Sequence, residues 1–260
     1  MASAFSTKIG NWLARYLSKS VESYRRLDTI AIEELATVLR PGDVLLVEGN
    51  SRISIAIKYL TQSSWSHACL CVGTANSSSD QILLEADLQE GVRLVAPDRY
   101  RDLNLRICRP NKLAAKDEEL LVGFAREKLG HRYDLKNVID LIRYLIQRPA
   151  VPQRYRRAMI AFGSGEPTKA ICSTLIAESF QSIGYPILPI HGTEGLERES
   201  EAVGEDGEVP LYYKRHFTHF TPRDFDLSPY FHVIKPTLEK GFDYREVHWE
   251  DAQGLSDNAE

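Results

Sequence analysis

Apolar residues recur every three or four positions around residue 175, and this spacing predicts a helix. The apolar positions are Ile171, Leu175, Ile176, Phe180 and Ile183. Gly184 and Pro186 follow the last of them and predict where the helix ends. Because the glycines and the proline within residues 163–167 cannot sustain a helix, we expect it to begin close to Cys172.

Short apolar runs bounded by turn residues predict β-strands elsewhere in the chain. They occupy residues 44–47, 68–73, 81–86, 91–95, 103–108 and 230–234. Helical spacing recurs over residues 28–39, 51–60, 117–129 and 135–146, and Ser51 is suited to cap the second of these helices. This mixture of strands and helices predicts an α+β fold.

The first 27 residues form an amphipathic pattern. Its apolar positions are Phe5, Ile9, Trp12, Leu13, Tyr16, Leu17, Val21 and Tyr24, and its basic positions are Lys8, Arg15, Lys19, Arg25 and Arg26. A basic helix with Trp and Phe on its apolar face suits a membrane interface, but most amphipathic helices pack on the protein's own core. Both interpretations stay open. Basic residues interrupt the apolar positions, so no continuous apolar segment predicts a secretory signal. The chain has no run of 18 apolar residues, and we therefore expect no transmembrane helix.

Composition limits the class of protein. The chain has 260 residues, of which 43% are hydrophobic and 26% charged, as in an ordinary globular protein. Its net charge of −4 argues against a nucleic-acid partner.

We expect one catalytic domain over residues 36–245, an N-terminal extension over 1–35 and an acidic tail over 246–260. Residues 192–210 carry seven acidic residues against one arginine, which predicts a solvated loop or a gate over a cleft.

Four cysteines, Cys69, Cys71, Cys108 and Cys172, form no CxxC pair. Cys69 and Cys71 lie beside His67, but residues two apart on a strand simply share a face, and the second half of a zinc signature is missing. We therefore expect no metal and no cofactor. So few cysteines predict no disulfide scaffold, which favours a reducing, cytoplasmic location with membrane association left open.

Three residues together suggest nucleophilic catalysis. A thiol at a helix start, such as Cys172, faces the positive end of the helix dipole, which favours thiolate. His67 begins one predicted strand and Glu85 lies in its neighbour, after an apolar run where a carboxylate needs a partner. A carboxylate bound to one ring nitrogen would orient the imidazole and leave the other as a base. Each residue alone has a structural alternative: a buried cysteine, or a glutamate that pairs with a buried arginine.

Five short motifs then carry a family resemblance. In order they are Arg-Pro-Gly-Asp-Val-Leu-Leu at 40–46, Ser-Trp-Ser-His-Ala at 64–68, Leu-Glu-Ala at 84–86, Gly-His-Arg-Tyr-Asp at 130–134 and Ile-Cys-Ser at 171–173. Over residues 36–190 the chain resembles the YiiX/YebB-like branch of the NlpC/P60 superfamily, which are papain-like cysteine hydrolases with a circularly permuted chain. The resemblance implies a small antiparallel sheet packed on a cysteine-bearing helix. It also implies Cys172 as nucleophile, His67 as base and Glu85 as the residue that orients the base.

The sequence departs from this family next to the cysteine. Ile171 stands where the family usually has tyrosine, and Thr174 stands where it has glutamate. Tyr133 is a candidate to supply the missing tyrosine. The other candidates for contacts with substrate or oxyanion are Ser173, Trp65 and Ser66.

The resulting hypothesis is a cysteine hydrolase that cleaves a peptide or cell-wall type amide through an acyl-enzyme at Cys172. One alternative is a thiol acyltransferase or lipase that acts on acyl lipids at a membrane. Another is a catalytically idle binding module of the same fold. Membrane contact would come from residues 1–27 or from the basic cluster Arg154, Tyr155, Arg156 and Arg157. The sequence leaves the substrate and the oligomeric state open.

Deletion of residues 1–27 tests the role of the amphipathic segment. If the segment binds lipid, the full chain co-sediments with anionic vesicles, less so at high salt because salt screens exposed charges, and the deletion abolishes binding without unfolding the protein. If it packs on the core, the deletion lowers the free energy of unfolding instead. A stable truncated protein that still binds vesicles would contradict both interpretations and point to the cluster at 154–157.

Overall fold

The computed structural model describes residues 19–20, 26, 31–74, 80–87, 90–131, 171–191 and 212–248. Several predictions therefore lie outside the described residues: most of the 1–27 segment, the helix at 135–146, the basic cluster at 154–157, the loop at 192–210 and the end of the acidic tail. The boundaries of the three expected chain segments also stay predictions.

The described chain contains eight strands and six α-helices. The strands are β1 Val44–Glu48, β2 His67–Cys71, β3 Leu83–Asp87, β4 Gly91–Val95, β5 Asn104–Pro110, β6 Ile190–His191, β7 Tyr212–Tyr213 and β8 Phe231–Ile234. The helices are α1 Ile32–Val38, α2 Arg52–Thr61, α3 Ala115–Glu127, α4 Ile171–Ser182, α5 Pro222–Asp226 and α6 Pro236–Glu239. Single 3₁₀ turns cover Pro97–Tyr100, Phe217–His219 and Tyr244–Glu246.

Six of these strands form one sheet in the order β4-β3-β2-β1-β5-β8, and every neighbouring pair is antiparallel. The predicted α+β class is thus confirmed. The expected strands and helices in the described part are present, with ends displaced by a few residues. Ser51 caps α2 as predicted, since its Oγ accepts a hydrogen bond from the Ser54 amide at 3.2 Å.

Side chains alternate between the two faces of the sheet, so each strand contributes to two cores. The first core joins strand residues such as Leu46 and Leu70 to α3 and α4. The second joins Leu45, Cys69 and their neighbours to α1 and to Tyr100. Helix α4 packs against β2 and β3 on the first face, whereas Tyr100 covers the second.

A buried ion pair shapes the turn that leads into β1. Asp43 is 1% exposed, and its two carboxylate oxygens accept hydrogen bonds from Nε and Nη2 of Arg109, each at 2.8 Å. The Arg40 amide donates to the same carboxylate at 2.9 Å. Gly42 adopts a φ of +86°, a conformation that side chains disfavour. These contacts give the Arg-Pro-Gly-Asp motif a structural role.

Helix α4 is buried around most of its circumference. Its buried residues are Cys172, Ser173, Thr174, Leu175, Ile176, Ala177, Ser179 and Phe180. The hydroxyls of the buried serines have hydrogen-bond partners, because Ser173 Oγ donates to the Phe220 carbonyl at 2.8 Å and Ser179 Oγ to the Leu175 carbonyl at 2.9 Å. Gly184, with a φ of +72°, follows the helix, and the Tyr185 amide returns to the Phe180 carbonyl at 2.9 Å. The predicted stop is confirmed.

Phe180 tests how strongly this helix is anchored. Its ring is fully buried and meets the ring of Phe231 edge-on, with the centroids 5.2 Å apart. We expect Phe180→Ala to lower the free energy of unfolding in urea by about 3–5 kcal/mol, because it leaves a cavity. Phe242→Ala is the matched control, since that ring is 54% exposed. Equal losses in the two variants would show that α4 is not part of the core.

Candidate active site

His67 is the first residue of β2 and lies at the end of that strand. It lies opposite Val47 of β1, and 22% of its side chain is exposed. Its Nε2 lies 3.0 Å from Glu85 Oε2. Because His67 stands at the strand's end, it interacts both with Cys69 from the second face and with Cys172 from α4.

Glu85 is a buried carboxylate on β3, with only 3% of its side chain exposed. Oε2 faces His67 and also accepts a hydrogen bond from the Tyr100 hydroxyl. Oε1 lies 2.8 Å from Arg93 Nη2 and 3.3 Å from Arg99 Nε. Burial by itself would raise the pKa of Glu85, but the hydrogen bond and charge of His67, the Tyr100 hydroxyl and Arg99 outweigh it and lower this pKa to about 2. Glu85 is therefore ionised at neutral pH.

Cys172 lies in the first described turn of α4 and is 6% exposed. Burial favours the neutral thiol, but the charge of His67, a hydrogen bond with its ring and the main-chain N–H groups of Ala68 and Ser173 favour thiolate. The balance lowers the pKa of Cys172 below its ordinary value. Burial opposes a charge on His67 too, yet its electrostatic and hydrogen-bond interactions with Cys69 and Cys172 raise the pKa of His67 well above its ordinary value. Cys172 and His67 thus favour a thiolate–imidazolium pair.

The other three thiols are held neutral. Burial raises the pKa of Cys71 and of Cys108 to about 12, and it raises the pKa of Cys69 as well. Cys69 Sγ donates to the Tyr100 hydroxyl at 3.1 Å, and Cys71 Sγ donates to the Gly73 carbonyl at 3.1 Å. Among the four, Cys172 alone has a lowered pKa.

One group of side chains in the described part of the chain has the composition of a metal site. The donor atoms of His67, Cys69 and Glu85 lie within 4.8 Å of one another. Each already has a protein partner: Glu85 contacts His67, Tyr100 and two arginines, and Cys69 contacts Tyr100. These contacts favour a hydrogen-bonded cluster, and the expected absence of a metal stays a prediction.

The remaining candidates hold neighbouring segments together. Trp65 Nε1 donates to Asp226 Oδ2 at 3.0 Å, and the guanidinium of Arg106 lies 4.9 Å above the Trp65 ring. Ser66 Oγ accepts from the Gly49 amide at 2.9 Å. Ser173 contributes its main-chain N–H to the Cys172 sulfur, while its hydroxyl binds the Phe220 carbonyl. Tyr133 lies outside the described residues. Contacts of these four residues with substrate or oxyanion stay predictions.

Sequence reasoning missed three side chains of this cluster: Tyr100, Arg93 and Arg99. Arg93 left a signal, because it interrupts the apolar run of β4 and stands opposite Glu85 in the register. Glu85 contacts both His67 and an arginine, so the contacts expected under each interpretation are present, and its role in orienting a catalytic base stays a prediction. Tyr100 left no such signal, because it sits on a 3₁₀ turn whose position relative to β3 no local pattern reveals.

Comparison with known proteins finds one family whose model matches part of the chain. Residues 38–144 match the family described as "Permuted papain-like amidase enzyme, YaeF/YiiX, C92 family". The matched region contains His67, Glu85 and Tyr100, and it ends before Cys172. No curated protein matches the chain.

Alkylation by iodoacetamide, followed by peptide mass mapping from pH 5 to 10, tests the state of the thiols. A lowered pKa keeps Cys172 as thiolate at lower pH, so we expect its labelling midpoint below the ~8.5 of a free cysteine. Cys71 and Cys108 should react only at higher pH. The control His67→Ala should raise the midpoint of Cys172, because it removes the charge that favours thiolate. A wild-type midpoint at or above that of free cysteine would contradict the assignment.

Proposed function

We propose that this chain, whose residues 38–144 match the permuted papain-like amidases of the YaeF/YiiX type, hydrolyses an amide bond through a thioester at Cys172. The observation that carries the proposal is the link from Glu85 through His67 to Cys172. The link supplies a nucleophile, a base and an orienting carboxylate, which are the three parts that covalent catalysis by a thiol requires. We infer that the amide is of peptide or cell-wall type, following the resemblance to NlpC/P60 hydrolases.

In the first half of the reaction, the Cys172 thiolate attacks the carbonyl carbon and forms the S–C bond. In this proposal the oxyanion that develops is bound by main-chain N–H groups near the sulfur, such as that of Ser173. His67 then gives its proton to the leaving nitrogen, the C–N bond breaks and the amine departs. A thioester remains on Cys172.

In the second half, His67 removes a proton from water and the resulting hydroxide attacks the thioester. The C–S bond breaks, the carboxylic acid leaves and the thiolate–imidazolium pair is restored. Glu85 binds Nε2 of His67 throughout, so that Nδ1 is left to exchange protons with sulfur, water and the leaving group. The low pKa of Glu85 keeps its negative charge available to the imidazolium at every pH near neutrality.

Two alternatives stay predictions. The lipid-acting enzyme depends on residues 1–27 and on the cluster at 154–157, which lie almost entirely outside the described residues. The idle binding module keeps the same fold and is one outcome of the experiment below. In the described residues, none of the helices combines the length and hydropathy that a bilayer span needs.

p-Nitrophenyl acetate tests the nucleophile, because an activated thiol releases one p-nitrophenol in a burst before slower turnover. We expect about one equivalent per chain, with the acetyl group on Cys172 in an acid-quenched peptide map. Cys172→Ala should abolish the burst, and His67→Ala should slow it by about 10²-fold or more. Cys108→Ala is the matched control, since that thiol is buried in the sheet and held neutral.

Peptide p-nitroanilides then test amide cleavage. Turnover that is lost in Cys172→Ala supports the amidase. A burst with the ester but no turnover of any amide would favour the binding module or an acyl-ester substrate. An undiminished burst in Cys172→Ala would overturn the proposal, because another residue would then be the nucleophile.

A further inference from the structure

The carboxylate that orients His67 is shared between two donors. Glu85 Oε2 lies 3.0 Å from His67 Nε2 and also accepts a hydrogen bond from the Tyr100 hydroxyl. The Tyr100 oxygen in turn lies 3.3 Å from the same His67 nitrogen. Glu85 Oε2, the Tyr100 oxygen and His67 Nε2 therefore lie at the three corners of a triangle of short contacts.

The other carboxylate oxygen is attracted in a different direction. Oε1 lies 2.9 Å from Arg93 Nε, 2.8 Å from Arg93 Nη2 and 3.3 Å from Arg99 Nε. Two guanidinium groups thus draw the carboxylate towards β4 and the 3₁₀ turn. A carboxylate held only by these arginines and His67 would be free to rotate towards the stronger positive charge.

The burial and hydrogen bonds of Tyr100 oppose that rotation. The residue is 5% exposed, and its ring belongs to the second core. Burial and the negative charge of Glu85 raise the pKa of Tyr100 well above its ordinary value, so the hydroxyl keeps its proton. Cys69 Sγ donates to the hydroxyl oxygen at 3.1 Å, which directs the hydroxyl proton to Glu85.

We propose that Tyr100 is a positioning residue that fixes Glu85 Oε2 against His67, with Cys69 orienting its hydroxyl. This inference rests on the proposed function, in which Glu85 orients the base. In this proposal Tyr100 acts through Glu85, although its oxygen also lies 3.3 Å from His67 Nε2, and it does not itself react with the substrate.

The groups that face His67 come from every element around it. They are Glu85 from β3, Cys69 from β2, Tyr100 from the 3₁₀ turn and Cys172 from α4, with Arg93 and Arg99 behind Glu85. Loss of the Tyr100 hydroxyl lets the arginines draw Glu85 away from His67. The imidazolium is then less stabilised, and so is the thiolate that it accompanies.

Tyr100→Phe tests the proposal, because it removes the hydroxyl and keeps the ring. We expect the midpoint of iodoacetamide labelling of Cys172 to move to higher pH. We also expect the ester burst at pH 7 to slow about tenfold, which corresponds to about 1.4 kcal/mol. Tyr59→Phe is the matched control, since Tyr59 is 65% exposed on α2, and it should leave both measurements unchanged.

A double variant separates positioning from an independent role. If Tyr100 acts through Glu85, then Tyr100→Phe combined with Glu85→Gln is no slower than Glu85→Gln alone. Effects that multiply, or a labelling profile of Tyr100→Phe that coincides with wild type or moves to lower pH, would overturn the inference. Urea unfolding establishes that each variant is folded. If Tyr100→Phe does not fold, the labelling midpoint of Cys172 in Cys69→Ala must also move to higher pH. An unchanged labelling profile in Cys69→Ala then counts against the inference.

The two proposals fail in different ways. Labelling of Cys172 requires no substrate, so its dependence on Tyr100 can be measured even if the protein cleaves no amide. If amide cleavage depends on Cys172 while Tyr100→Phe has no effect, the amidase stands and the role of Tyr100 is wrong. If Tyr100→Phe shifts the labelling but no amide is cleaved, the positioning of Glu85 stands and the amidase is wrong.

Discussion

The burial of the Glu85 charge is the constraint on which the site depends. A carboxylate that is 3% exposed needs hydrogen-bond donors or cations, because an uncompensated buried charge destabilises a protein strongly. Its partners come from β2, β4 and the turn before β5, so the one carboxylate on β3 contacts both neighbouring strands and the turn that follows them. The same contacts that satisfy the charge orient the imidazole. Stability and chemistry at this end of the sheet thus have a common cause.

The two faces of the sheet divide the components of the site. The thiol reaches His67 on a helix that covers the first face, whereas Glu85 and Tyr100 approach from the side of the second core. Since His67 is the first residue of its strand, its ring can meet both groups. A histidine one or two residues further along β2 would be enclosed by one core alone, as Ala68 and Cys69 are.

Local patterns in the sequence predicted the strands, the capped helix α2 and the end of α4, because periodicity and glycine act over a few residues. They also singled out His67 and Glu85, since both stand at positions where a polar group interrupts or begins an apolar run. The position of β8 beside β5 and the contact between Tyr100 and Glu85 were not predictable in this way. Both depend on how segments far apart in the chain meet, which propensity does not encode.

The order of the elements along the chain has a consequence for biosynthesis. Strands β1 to β5, which carry the histidine and the glutamate, lie within residues 44–110, and the thiol follows about sixty residues later. Proteins emerge from the ribosome N-terminus first. A nascent chain therefore holds His67 and Glu85 well before it holds Cys172. Until residue 172 has left the exit tunnel, strands β1 to β5 can bring His67 and Glu85 together only in the absence of the Cys172 sulfur.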